Sequence, residues 1–184
     1  MIGLYTEKDS WYNKTDARFL KCGLGDNVMN EAQCREYLKR IGYTGEIART
    51  PQCLDELILA HLAAIPFENL DACEDHLVPS LDEHVLFEKI IRHKRGGWCF
   101  ELNKLFFELL KGCGFQVMPV AVRITWMKEE PAALLHRATV VTLENRPYFC
   151  DVGYGGPGPK GVTPLTDGEY EIQGESYQIV TGQG

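Results

Sequence analysis

Apolar positions recur at helical spacing up to about residue 113 and at strand spacing beyond it. Asn30 and Gln33 form a capping-box pattern ahead of CREYLKRIGY, and Gly42 supplies that helix with a stop. Thr50-Pro51 offers an N-cap with proline at the first helical position, followed by Leu54, Leu57, Ile58, His61, Leu62 and Ile65 on one face, until Pro66 ends the run. The segment IPFENLDAC, residues 65–73, reads as an extended turn. Ser80 and Glu83 repeat the capping pattern before LDEHVLFEKIIRHK, which Gly96-Gly97 should terminate. A third helix carries the stripe Leu102, Leu105, Phe106, Leu109, Leu110 and Cys113, closed by Gly112 and Gly114.

From Phe115 the period shortens toward two, with β-rich runs at 115–126, 135–143, 147–152, 169–173 and 176–181. Glu144 to Pro147 marks one hairpin turn and Gly174-Glu175 another. The pattern predicts a helical lobe packed on an antiparallel, partly closed sheet. Residues 1–28 are aromatic but show no clean period, and GYGGPGPKG at 153–161 is a long Gly/Pro connection.

Charge narrows the class. The 184 residues hold 19 Lys+Arg against 26 Asp+Glu, a formal charge of −7, with 45% hydrophobic and 24% charged residues. That suits one globular domain or two small lobes. Basic residues gather only at Arg92, His93, Lys94 and Arg95, so a nucleic-acid partner is not expected. The longest apolar stretch, 57–67, contains His61 and Pro66 and falls short of the ~20 residues a membrane helix requires, so no membrane partner is expected either. MIGLYTEKDSWYNK lacks a basic start and an apolar h-region, and a cytoplasmic location is expected. Cys22, Cys34, Cys53, Cys73, Cys99, Cys113 and Cys150 form no C-x-x-C pair and should be mostly reduced and buried.

Placement singles out one of these thiols. Cys99 in RGGWCFELN directly follows a glycine pair and a tryptophan at the start of a strongly patterned helix, where free N–H groups and the helix dipole favour thiolate. His136 in LLHRATVV and Asp151 in YFCDVGYG flank the 144–147 turn. Counting outward from that turn brings Leu135 or His136 near Asp151 to Tyr154, within reach of a carboxylate–imidazole hydrogen bond. The plain alternatives are a buried structural thiol, a satisfied sheet histidine and a loop-capping carboxylate. His61 fits a core or groove position; His76, His84 and His93 fit the surface. Cys73, His76 and His84 lack the second close pair and fourth ligand of a zinc site, so no metal is expected. The glycines at 153–158 lack the Lys-Ser/Thr of a phosphate loop. Phe67, Trp98, Trp126 and Tyr154 suit an aromatic pocket or the core.

Four blocks in order, IPFENLD at 65–71, RGGWCFELN at 95–103, His136 and DVGYGG at 151–156, resemble the arylamine N-acetyltransferases over about residues 31–167. The resemblance implies an α+β fold. A helical domain at 31–113 would carry the nucleophile and pack on an antiparallel β-barrel-like domain at 114–184, around a cysteine-protease-like Cys-His-Asp core, with 1–30 as an N-terminal extension. It implies Cys99, His136 and Asp151 as catalytic residues. Phe67, Glu68, Arg95, Trp98, Tyr154 and Gly155 would support them or bind substrate, with Arg95 and Glu68 as an ion pair. The implied reaction is acetyl transfer from acetyl-CoA to an arylamine, arylhydroxylamine or arylhydrazine through an acetyl-cysteine.

Two departures stand out. Arg137 replaces an apolar residue after the histidine, and the α/β lid that usually follows the barrel is not expected within this sequence. A homodimer covering the 169–180 sheet edge is one expectation that follows. The competing functions are a catalytically impaired binding module and a thiol-dependent acyl hydrolase or amide exchanger.

Overall fold

A computed structural model describes residues 2–3, 29–74, 78–124 and 133–180. Most of the 1–30 extension therefore lies outside the described residues. The caps read from sequence set the first two helices. At α1, Glu31–Arg40, Asn30 accepts from Gln33 N–H and donates its own N–H to the Gln33 side chain, both at 3.0 Å. At α2, Pro51–Ala64, the Thr50 hydroxyl accepts from Cys53 N–H at 3.2 Å. The segment read as an extended turn contains a short helix, α3, Leu70–Glu74, because the Glu68 carboxylate caps Leu70 N–H at 2.8 Å.

The next helix also departs from its expected ends. Its N-cap is Asp82, whose carboxylate accepts from both His84 and Val85 N–H, while Ser80 only accepts from Asp82 N–H. An ionised acceptor serving two helix-end donors outcompetes a hydroxyl. This helix, α4, Glu83–Leu86, widens into a π-helical segment, Phe87–Arg92, and the chain turns at Lys94 with φ 57°, before the glycine pair. Helix α5, Cys99–Gly112, is buried without a break from Glu101 to Leu110 and forms the centre of the molecule.

Five of the seven strands among the described residues follow the sequence runs, and the two-residue strands β1 and β5 fall outside them. The main sheet is antiparallel in the order β1 (Ile2–Gly3), β2 (Gln116–Ile124), β3 (Leu134–Leu143), β4 (Arg146–Cys150) and β5 (Thr163–Pro164). β3 and β4 join through Glu144 and Asn145, both at positive φ, the two-residue turn that matches strand twist. β6 (Gly168–Ile172) and β7 (Glu175–Ile179) form a separate hairpin turning at Gln173-Gly174, one residue earlier than expected. The barrel-like expectation is corrected here: among the described residues the sheet stays open. Closure requires a continuous hydrogen-bonded ladder, and the edge strands β1 and β5 are only two residues each.

One core lies between the helices and the inner face of the sheet, where Val141, Leu143, Cys150 and Val152 meet Leu102, Leu105, Phe106, Leu109 and Leu110. His61 belongs to this core rather than to a groove. It is fully buried, bonds the Tyr37 hydroxyl at 2.8 Å through Nδ1, and is pulled down to about 3 by burial. Asp55 of α2 accepts from Val162 N–H at 2.9 Å and from Gln173 Nε2 at 3.1 Å, which moors the long 151–162 loop and the second hairpin to the helices. No helix among the described residues is long and apolar enough to cross a membrane.

Candidate active site

Two sequence blocks meet at the start of α5. Phe67 and Gly97 form a parallel backbone bridge, with Glu68 N–H donating to Gly97 O at 2.9 Å. Gly96 allows this approach, since a Cβ there would sit 2.2 Å from Pro66 O. The bridge sets Trp98 as the N-cap of α5 in extended conformation and Cys99 as its first residue. Cys99 is partly exposed, and its Sγ lies 4.0 Å from Leu135 O on β3.

His136 follows on β3, nearly buried, and its Nε2 bonds Asp151 Oδ2 at 2.5 Å. Asp151 is the first residue beyond β4, and the β3–β4 register carried one step past Thr139↔Cys150 sets it opposite Ala138, two residues along β3 from His136 and so on the same face as it. Burial works against a charged His136, but its hydrogen bonds to Asp151 and Cys99 outweigh it, and the imidazole is pushed up to about 9. With Nε2 engaged by Asp151, Nδ1 is the nitrogen left for Cys99. Tyr154 packs edge-on against His136 at 5.5 Å between ring centroids.

Asp151 Oδ1 accepts from Asn103 Nδ2 at 2.8 Å and from Gly153 N–H at 2.9 Å. Asn103 was not singled out from sequence. It sits one turn beyond Cys99 on α5, and an asparagine in a helix interior gives no sign of which loop it meets.

An ion network backs the other side of the helix start. Arg95 bonds Glu68 at 2.8 Å and Asp71 at 2.6 Å, so the expected Arg95–Glu68 pair is present. Lys89, from the π-helical segment, bonds Asp71 at 2.8 Å and both oxygens of the buried Glu101, at 2.8 and 3.0 Å. Glu101 in turn accepts from Trp98 N–H at 3.1 Å. Hydrogen bonds from Lys89 and Arg95 hold the Asp71 carboxyl below its usual range. Lys89, Asp71 and Glu101 were likewise unremarked in the sequence, where a charge run reads as a solvated face.

The aromatic residues do not gather into one pocket. A cleft of about 420 Å³ is bordered by Leu59, Leu62 and Ala63 of α2 together with Asp151, Tyr154 and Lys160, and neither Phe67 nor Trp98 lines it. Phe67 is 46% exposed, and its ring fills the space where a Cβ on Gly155 would stand, 2.9 Å away. Trp98 packs on Phe100. Trp126 lies outside the described residues, as does His76 of the zinc candidates; Cys73 and His84 are exposed.

The profile of a family described as N-acetyltransferase matches residues 51–181. Over 110 residues the chain is 43% identical to the arylamine N-acetyltransferase / N-hydroxyarylamine O-acetyltransferase of Salmonella typhimurium, covering 58% of this chain and 38% of that protein. It is 34% identical over 163 residues to the proansamycin X synthase of Amycolatopsis mediterranei, covering 84% of this chain and 62% of that protein. The solved structure of Mycobacterium marinum arylamine N-acetyltransferase in complex with CoA superposes with a TM-score of 0.74 at 33% identity, over 81% of this chain and 57% of that one. The chain thus spans less than two thirds of each relative's own length.

Proposed function

Because the chain belongs to the arylamine N-acetyltransferase family, we propose that it transfers an acetyl group from acetyl-CoA to an arylamine through an acetyl-cysteine at Cys99. The observation that carries this reading is the placement of His136 between Cys99 and Asp151, with its imidazole pushed up to about 9. In the proposed reaction the Cys99 sulfur attacks as thiolate, with the charged imidazole of His136 beside it as counter-ion.

In the first step Cys99 Sγ bonds to the thioester carbonyl carbon, the carbon–sulfur bond to CoA breaks, and the departing CoA thiolate takes the proton from His136. The backbone N–H of Cys99, one of the free donors at the helix start, faces the developing oxyanion. In the second step the amine nitrogen bonds to the acetyl carbon, Cys99 Sγ leaves as thiolate, and the nitrogen's proton passes to His136. Asp151 keeps Nε2–H in place throughout, which fixes Nδ1 toward the sulfur. The cleft beside Tyr154 admits one face of an aromatic acceptor, and Lys160 at its border suits a phosphate of the donor.

Acetyl-CoA alone, without amine, is the decisive reagent. Intact-protein mass spectrometry should show one added acetyl, mapped by peptide analysis to Cys99 and absent from Cys99→Ala, and an arylamine should then discharge it. An unmodified protein whose Cys99 still reacts with iodoacetamide refutes the proposal.

A further inference from the structure

Asn103 is fully buried and every polar atom of its amide is engaged. Nδ2 donates to Arg137 O at 2.6 Å and to Asp151 Oδ1 at 2.8 Å, while Oδ1 accepts from Val152 N–H at 3.0 Å. These contacts reach the residue after His136, the carboxylate that holds His136, and the residue after that carboxylate. Asn103 lies four positions after Cys99, on the same face of α5. The packing leaves no slack: a Cβ on Gly153 would stand 2.8 Å from Asn103 Nδ2 and 2.9 Å from Cys99 Cα.

We propose that Asn103 is the positioning residue that fixes the rotation of the Asp151 carboxylate, and through it holds His136 against Cys99. The proposal rests on the reading that these three residues act together. An amide is the side chain that satisfies this spot. It offers two donors and one acceptor in one plane, matching the Arg137 carbonyl, the Asp151 carboxylate and the Val152 N–H. An aspartate would set a second carboxylate against Asp151 Oδ1, and an aliphatic residue would take a hydrogen bond from each of the three partners. Without Asn103, Oδ1 keeps only the Gly153 N–H. The carboxylate is then free to turn, Oδ2 leaves Nε2, and His136 loses its leading charge-favouring contact.

The test uses Asn103→Ala and Asn103→Ser, the serine keeping a donor and an acceptor should alanine fail to fold, with Asp151→Asn as the background for a double variant. Two quantities are read. One is the rate at which acetyl-CoA acylates Cys99 at pH 7. The other is the pH at which the His136 ring releases its proton, followed by NMR. In a variant that melts cooperatively, the acylation rate should fall at least about tenfold, in line with the cost of slight misplacement of reacting groups. The His136 titration should move down from about 9 by about one pH unit, the size of an effect worth tenfold. Adding the Asn103 substitution to Asp151→Asn should cost less than about twofold more, as for residues acting through one another.

An unmoved His136 titration in a folded variant overturns the proposal, as does an additive loss in the double variant. A wild-type protein that forms no acyl adduct refutes the acetyl-transfer reading instead, and leaves the NMR titration to decide the role of Asn103.

Discussion

Replacing Lys89 with methionine tests how the helix start that presents Cys99 is held. Lys89 Nζ bonds both Glu101 oxygens and Asp71. The Glu101 side chain is 3% exposed, and with Lys89 gone its remaining partner among the described residues is the Trp98 N–H. An uncompensated buried charge of this kind costs about 3–5 kcal/mol. In a domain of this size that is about 6–20 °C in Tm. The outer members of the network contribute far less, because Asp71 and Arg95 are 33% and 41% exposed and water screens them.

If charge burial is the cause, Glu101→Gln in the Lys89→Met background removes the stranded charge while its amide oxygen still accepts from Trp98 N–H. At least half of the lost stability should return. Urea unfolding followed by circular dichroism reads both variants. A loss under about 1 kcal/mol in Lys89→Met, the size of a surface pair, refutes the reasoning. So does a double variant no more stable than the single one.

Two histidines make stability depend on pH in opposite directions. His136 is raised from 6.5 to about 9, so its contribution is complete below pH 6.5 and is lost as the pH rises through 9. At 1.36 kcal/mol per pH unit this amounts to about 3 kcal/mol, and urea midpoints of Asp151→Asn should lack most of the alkaline decline seen in the wild type. An equal decline in both proteins sinks the assignment. His61 is lowered from 6.5 to about 3, so its contribution is complete above pH 6.5 and is lost as the pH falls toward 3. Between pH 6.5 and 4.5 the wild type should lose about 3 kcal/mol through this group, and His61→Phe should flatten that slope although it forfeits the Tyr37 hydrogen bond. An unchanged acid slope in the variant means that another group governs acid unfolding.

What the sequence made legible was local. The Asn30–Gln33 box, the Thr50-Pro51 start and the turn between β3 and β4 each depend on residues within four positions of one another; the first two stand where the pattern placed them, and the turn falls one residue earlier, at Glu144-Asn145. The nearness of His136 to Asp151 was also legible, because a two-residue turn fixes the register of the strands it joins. Closure of the sheet was not, since it depends on how far β1 and β5 extend along their neighbours, and no local pattern records that. The pattern placed the cap at Ser80, whereas the structure caps this helix with Asp82, because its carboxylate meets two free N–H groups in three dimensions.

Asn103 shows the limit most clearly. Its sequence neighbours Leu102 and Lys104 belong to the same helix, whereas its three partners lie 34 to 49 positions away. A buried asparagine costs free energy unless every polar atom is matched, so its presence inside a helix signals a distant polar surface that must come to meet it. In this fold that surface is the segment holding Asp151, and the helix that exposes Cys99 at its first turn uses its second turn to hold the carboxylate behind His136.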